Sequence, residues 1–212
     1  METETTYTEK QEKILAAAEH LFAEHGYEGT AIRDIAEKAG VNIAMISYYF
    51  GSKEKMLEAI FSKGASHFKN LQEELRNNSS LTALQKLEWF IDNRIEKIFS
   101  RERFFRLMIC EQMIDKNIEI TKMMNSLRSK SADMIKQILK DGKKDGSIAV
   151  EVDPAFLLNT ITGIIIQTIL SKPFYTENYK LTGQDNAAVL QHMKKKLSGQ
   201  IKAIVKCYVT NV

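Results

Sequence analysis

Between Gly29 and Leu57 the chain reads GTAIRDIAEKAGVNIAMISYYFGSKEKML, and this stretch restricts the fold more than any other. Ile32, Ile35, Ala36 and Ala39 recur at helical spacing and give one short helix a single apolar face. Thr30 stands where that helix needs a cap, and Gly40 where a left-handed residue would end it. Val41 is placed to plug the corner, and Asn42 can cap a second short helix running to Phe50. In that helix Ile46 and Phe50 are core by spacing. Gly51-Ser52 breaks the chain again, and Ser52 can cap a third segment beginning Lys53-Glu54. Two short helices joined by a glycine turn over a buried corner make a helix-turn-helix, whose second helix is shaped for the DNA major groove.

Together with the helix before it, this stretch resembles the TetR family of bacterial transcriptional regulators. The matching residues are Gly26-Tyr27, Gly29-Thr30, Arg33-Asp34-Ile35-Ala36, Ala39-Gly40-Val41, Tyr48-Tyr49-Phe50 and Ser52-Lys53-Glu54 with Leu57. The resemblance covers roughly residues 14–60; beyond them it is one of length and helical pattern only. It implies that the second helix of the motif enters the major groove while its flanks grip phosphates. Carried over by position, Asn42, Ile43, Ala44, Met45 and Ser47 face base edges, and Tyr48, Tyr49 and Lys53 face phosphate and sugar. Arg33 reaches a base edge or a phosphate, and Thr30 donates to a phosphate at a helix amino end. Ile43, Ala44 and Met45 cannot hydrogen-bond a base, but they can touch thymine methyls. Asn42 is a cap or a base reader, and Tyr48 a phosphate contact or half core.

The rest of the composition suits an all-α chain of about nine helices. With 2 prolines and 10 glycines in 212 residues, a turn-rich β fold is excluded. The expected division is a helix-turn-helix head over 1–52 and a helical ligand-binding and dimerisation domain over 53–212, with the fourth helix as connector. The polar, acidic start of the chain lacks the pattern of a signal peptide, and a cytoplasmic protein is expected. Cys110 and Cys207 lie in apolar patterns without metal-ligand spacing and read as buried free thiols. Residues 1–60 hold 6 Lys+Arg against 11 Asp+Glu, and residues 61–212 hold 24 against 16. An acidic head argues against a general DNA coat. The acids crowd on or beside the first helix, and none falls between Gly40 and Lys53.

Thr8-x-x-Gln11 is a capping box that starts the first helix, with Ile14, Leu15, Ala18, Leu21 and Phe22 as its buried stripe and Gly26 as its stop. The fourth helix is expected from Lys53 to about Leu75, with Met56, Leu57, Ile60, Phe61 and Phe68 inward, followed by an Asn77-Asn78-Ser79-Ser80 linker. Later helices are expected over 81–100, 101–114 and 117–140, the last ending in the polar run 141–146. Asp153-Pro154 starts the eighth, and the ninth runs from about Asn186 to Val209. Pro154 to Ser171 carries no charge over 18 residues. Its Asn, Thr and Gln side chains argue for a helix buried on most sides rather than a membrane span. With Leu190, Leu197, Ile201, Ile204 and Tyr208 as a stripe on the ninth helix, the last two helices suit a homodimer across a two-fold axis.

An effector, a largely apolar small molecule, is expected in the second domain. Trp89, Phe90, Phe105, Met108, Met124 and Phe156 are candidate pocket walls, and Asn93, Gln112 and Asn159 could orient it. No catalytic, cofactor or metal site is expected. The sequence has no Gly-rich phosphate loop or nucleophile elbow, and its four histidines are scattered. A helical adaptor that binds protein instead of DNA is the competing reading, which the acidic head favours slightly.

Overall fold

The computed structural model describes residues 7–63, 80–114 and 117–210. The described residues are helical without a strand. In order they form α1 (Glu9–His25), α2 (Ile32–Ala39), α3 (Ile43–Phe50), α4 (53–63), α5 (Ala83–Ser100), α6 (Glu102–Ile114), α7 (Ile118–Asp145), α8 (Pro154–Leu170), α9 (Lys172–Asn178) and α10 (Asn186–Thr210). The expected course of the fourth helix to Leu75, Phe68 on it, and Asn77-Asn78-Ser79 of the linker lie outside the described residues.

The chain divides into two compact units, and their boundary is not the expected one. One unit comprises Met1–Glu73 with Arg103–Leu127, the other Glu74–Glu102 with Arg128–Val212. The reason is visible in the core of the first unit. Ile14, Phe22, Ile35, Ile46, Leu57, Ile60 and Phe61 from α1 to α4 are buried in one cluster with Phe104 and Leu107 of α6 and Ile120 and Met124 of α7. The Phe61 and Phe104 rings lie 5.4 Å apart. Helices as short as α2 and α3 draw their stability from such packing rather than from propensity. Burying each large aliphatic side chain contributes about 1.5–3 kcal/mol.

Local chemistry sets the first elements as expected. The Thr8 hydroxyl accepts from the Gln11 amide while the Gln11 side chain accepts from the Thr8 amide, closing the capping box of α1. Gly40 ends α2 at φ 66° and ψ 36°, in the left-handed region.

The second unit packs α5 against α8 and α10, with α8 also against α10 and α9. Leu87, Phe90, Ile91 and Ile98 of α5 are buried, as are Leu157, Ile161 and Ile165 of α8 and Leu197, Ile201 and Val205 of α10. Asp153 caps α8 by accepting from the amides of Ala155 and Phe156, with Pro154 following as expected.

Five expectations fail here. α7 does not stop near Lys140 but runs through Gly142 to Asp145. A Cβ on Gly142 would stand 2.5 Å from Ile148 Cδ1 and 2.9 Å from Ala83 Cβ, so this glycine serves close packing and not a turn. A further helix, α9, absent from the expected set, follows a 76° bend after α8 and starts with Lys172-Pro173, proline suiting a helix's first turn. No single helix among the described residues is long and apolar enough to cross a membrane. α8 itself is buried on one side only, with Phe156 72% exposed and Asn159 and Gly163 on the same open face. The expected stripe on α10 mixes two faces: Leu197 and Ile201 are core, while Ile204 and Tyr208 are exposed. Finally, both cysteines are free and exposed, because they fall opposite the buried rows of α6 and α10.

Candidate nucleic-acid interface

α3 is held by one side and open on the other. Ile46 and Phe50 anchor it in the core, and Tyr49 packs half-buried against the same cluster. Met45 is half-buried. Asn42, Ile43, Ala44, Ser47 and Tyr48 face outward, with Tyr48 84% exposed. That exposure removes the half-core reading of Tyr48, whose ring instead meets the edge of Tyr49 at 5.2 Å. Asn42 is the cap: its side-chain oxygen accepts from the Ala44 amide at 2.9 Å. Its amide group remains as a donor on the exposed end of the helix. Arg33 is exposed on the first turn of α2. The open face of α3 carries no charge of either sign.

Two expected contacts are turned to other work. Thr30 does not cap α2; that position belongs to Ala31, whose amide donates to the Asp34 carboxylate at 3.2 Å. The Thr30 side chain is buried, and its hydroxyl donates to the carbonyls of Gly26 at 2.8 Å and Leu21 at 3.2 Å. Gly26 lies just past the end of α1, and the hydroxyl supplies its carbonyl with a donor that the helix does not. It is therefore lost as a phosphate donor. Lys53, at the start of α4, donates through Nζ to the carbonyls of Tyr27 at 2.9 Å and Thr30 at 3.1 Å, and lies 4.2 Å over the Tyr27 ring. Its ammonium tethers the α1–α2 turn to α4, leaving at most one proton for a phosphate.

Residues 14–60 match the family described as "Bacterial regulatory proteins, tetR family". That match spans α1 to α4 and marks the segment as a TetR-type helix-turn-helix head. Similar curated proteins include the "Probable HTH-type transcriptional regulator YttP" of Bacillus subtilis (strain 168), 26% identical over 170 residues, 80% of this chain and 79% of that protein. The "Fatty acid metabolism regulator protein" of the same strain is 24% identical over 181 residues, 85% of this chain and 92% of that protein. Among solved structures, FadR from Bacillus subtilis in complex with stearoyl-CoA has a TM-score of 0.61 at 24% identity, covering 88% of this chain and 97% of that one. The ketosteroid transcriptional regulator KstR2 of Mycobacterium tuberculosis has a TM-score of 0.70 at 19% identity, covering 97% of each chain. The chain is thus a transcriptional regulator with a helix-turn-helix DNA-binding head like that of the TetR family and a helical remainder.

The expected effector residues are divided between the two units. Phe105, Met108 and Met124 pack with the core of the first unit, and Gln112 is exposed on α6 beside them. Helical periodicity cannot distinguish a Met and aromatic row that closes a core from one that lines a pocket. Phe156 and Asn159 face outward on α8. Trp89, Phe90 and Asn93 lie together on α5: Phe90 is fully buried, Trp89 and Asn93 are half-buried, and the Asn93 amide donates to the Trp89 carbonyl at 3.0 Å. Beside them sequence reasoning missed a cationic group. Burial and the nearby Arg128 lower the Arg94 guanidinium to about 10, and its Nε is buried without a hydrogen-bond partner. Burial, then Arg94 and Arg101, lower the Lys97 ammonium to about 8. Arg94 and Lys97 could be read as ordinary polar positions on α5; only the fold brings Arg128 of α7 close to them.

Proposed function

We propose that this protein is a homodimeric repressor released from its operator by an amphipathic small molecule. The observation that carries the DNA-binding part is the outward, acid-free face of α3, with Ile43, Ala44, Ser47 and Tyr48 exposed and Asn42 at its tip. Two such helices, one per protomer, would occupy successive major grooves about 34–36 Å apart or a multiple of it. Arg33, Asn42, Ile43, Ala44, Met45, Ser47, Tyr48 and Tyr49 are the proposed contacts. Ser47 and Asn42 supply hydrogen bonds and the apolar residues touch thymine methyls.

The dimer surface proposed is the open side of α8 and α10. Phe156, Leu170, Ile204 and Tyr208 are large, apolar and exposed there, on helices that adjoin each other. A monomer that leaves so much apolar surface to water is better explained by a partner.

For the effector we propose a long apolar body with an anionic head group. Relatives named as fatty acid regulators support it, as does the stearoyl-CoA bound to one of the structural neighbours. Within this chain, Arg94 and Lys97 are cations whose burial an anionic group would offset. Release requires only that the effector bind the two states of the dimer with a difference of about 1–3 kcal/mol.

Fluorescence anisotropy with DNA from upstream of the protein's own gene tests the reading. Expected are tight binding with two protomers per site, a steep salt dependence, and a lower affinity when stearoyl-CoA is added. Absence of any sequence-dependent binding overturns the regulator mechanism. Binding that acyl-CoA and free fatty acid leave unchanged overturns the effector class alone.

A further inference from the structure

A cavity of about 330 Å³ opens within the first unit, between the α1–α2 turn, the start of α4, the end of α6 and the start of α7. Its volume is at the lower end of the range for small-molecule pockets, about 300–1,000 Å³. Four carboxylates line it: Glu28 from the turn, Glu54 from α4, Glu111 from α6 and Glu119 from α7. Leu57, Ile114 and Ile118 supply an apolar wall. Three of the carboxylates are exposed, and Glu119 is paired with Lys122 at 2.8 Å. Glu111 differs. It is 7% exposed and makes no hydrogen bond or ion pair among the described residues. Its oxygens open to the cavity rather than being sealed in the core, and burial there disfavours their charged form.

The cation that acts on this group among the described residues is already committed. Lys53 acts on Glu111 from a distance, but its ammonium donates to the carbonyls of Tyr27 and Thr30. The Tyr27 phenol faces the cavity and is pushed up to about 12 by burial and by Glu54, Glu28, Glu111 and Glu58, so it stays neutral. Burial and Glu28 likewise raise the Glu111 carboxyl. No group of His, Cys, Asp and Glu among the described residues has the arrangement of a metal site. With an apolar wall beside one buried acid, an organic cation suits the space better than a metal ion.

We propose that this cavity binds a small organic monocation, an alkylammonium group against Glu111 with its hydrocarbon body against Leu57, Ile114 and Ile118. The site is separate from the effector position argued above and lies against the same turn that Lys53 tethers, so its occupant touches the turn that leads into the helix-turn-helix.

Isothermal calorimetry on the full chain without DNA tests this, with hexylammonium as the probe, hexanol as its neutral match and sodium as the charge control. One saturable site for hexylammonium is expected, with no binding of hexanol and no competition from sodium beyond general screening. Glu111→Gln should weaken binding about tenfold or more, the loss expected for one charge-assisted contact. Glu151→Gln, on an exposed residue of the other unit, should leave it unchanged. Equal binding by Glu111→Gln, or binding of hexanol as tight as that of hexylammonium, overturns the proposal. Because no DNA or acyl-CoA enters the experiment, its failure leaves the proposed regulator mechanism untouched.

Discussion

Replacing Lys53 by Met separates a tether from a phosphate contact. Methionine keeps the apolar stem and removes the ammonium. Lost with it are two charge-assisted hydrogen bonds, at 2.9 and 3.1 Å, and the contact with the Tyr27 ring at 4.2 Å. Fully desolvated, such hydrogen bonds contribute about 1.5–3 kcal/mol each. Lys53 is only half-buried, so about 0.75 kcal/mol each is the better figure, with about 0.5 kcal/mol more for the ring. The sum, about 2 kcal/mol, corresponds to roughly 30-fold more frequent opening of the α1–α2 turn and α2. Native-state hydrogen exchange reads this directly at the Thr30 amide, bonded to the Tyr27 carbonyl, and at the Asp34 amide, bonded to the Ala31 carbonyl. Both should exchange about 30-fold faster in Lys53→Met, while amides in α10 stay as they are. Unchanged exchange, together with a DNA salt slope lower by about one, would show that Lys53 grips a phosphate and would refute the tether.

Three further outcomes follow from the packing and charge. Gly142→Ala should destabilise the second unit by about 1 kcal/mol, the overpacking against Ile148 and Ala83 outweighing what alanine gains over glycine in a helix. Thermal melting followed at Trp89, the single tryptophan, measures it, and a higher melting temperature would contradict the close approach. Glu111→Gln should be more stable than the parent at pH 7. The folded protein raises this carboxyl above its ordinary 4.5, so the folded state holds its proton more tightly than the unfolded one. Stability is then present below about pH 4.5 and lost as pH rises through the folded value; the advantage of Gln should fade toward pH 4, and a gap independent of pH would refute the assignment. Ile204→Glu paired with Tyr208→Glu should convert the dimer to monomer in sedimentation without loss of helicity; a persistent dimer would move the interface elsewhere.

The helix-turn-helix was legible because its determinants are local. Thr8 with Gln11, Gly40, Asn42 and Asp153-Pro154 act on backbone groups within four residues of themselves, so their roles survive being read along a line. The same holds for Ile46 and Phe50, which face inward at helical spacing wherever the helix packs. Roles that depend on a distant backbone were not legible. Thr30 and Lys53 look like polar residues at helix starts, and only the folded chain shows that carbonyls nine and 26 positions away take their protons. Gly142 reads as a turn until Ala83 and Ile148 are beside it. Phe105, Met108 and Met124 read as pocket or core alike, since periodicity gives a facing direction and not what stands opposite. By itself the sequence determined the kind of motif and the ends of its helices, through hydrogen bonds that close over one turn. The tertiary structure alone decided which polar groups remain open to a partner, because the carbonyls and carboxylates that compete for them come from elsewhere in the chain.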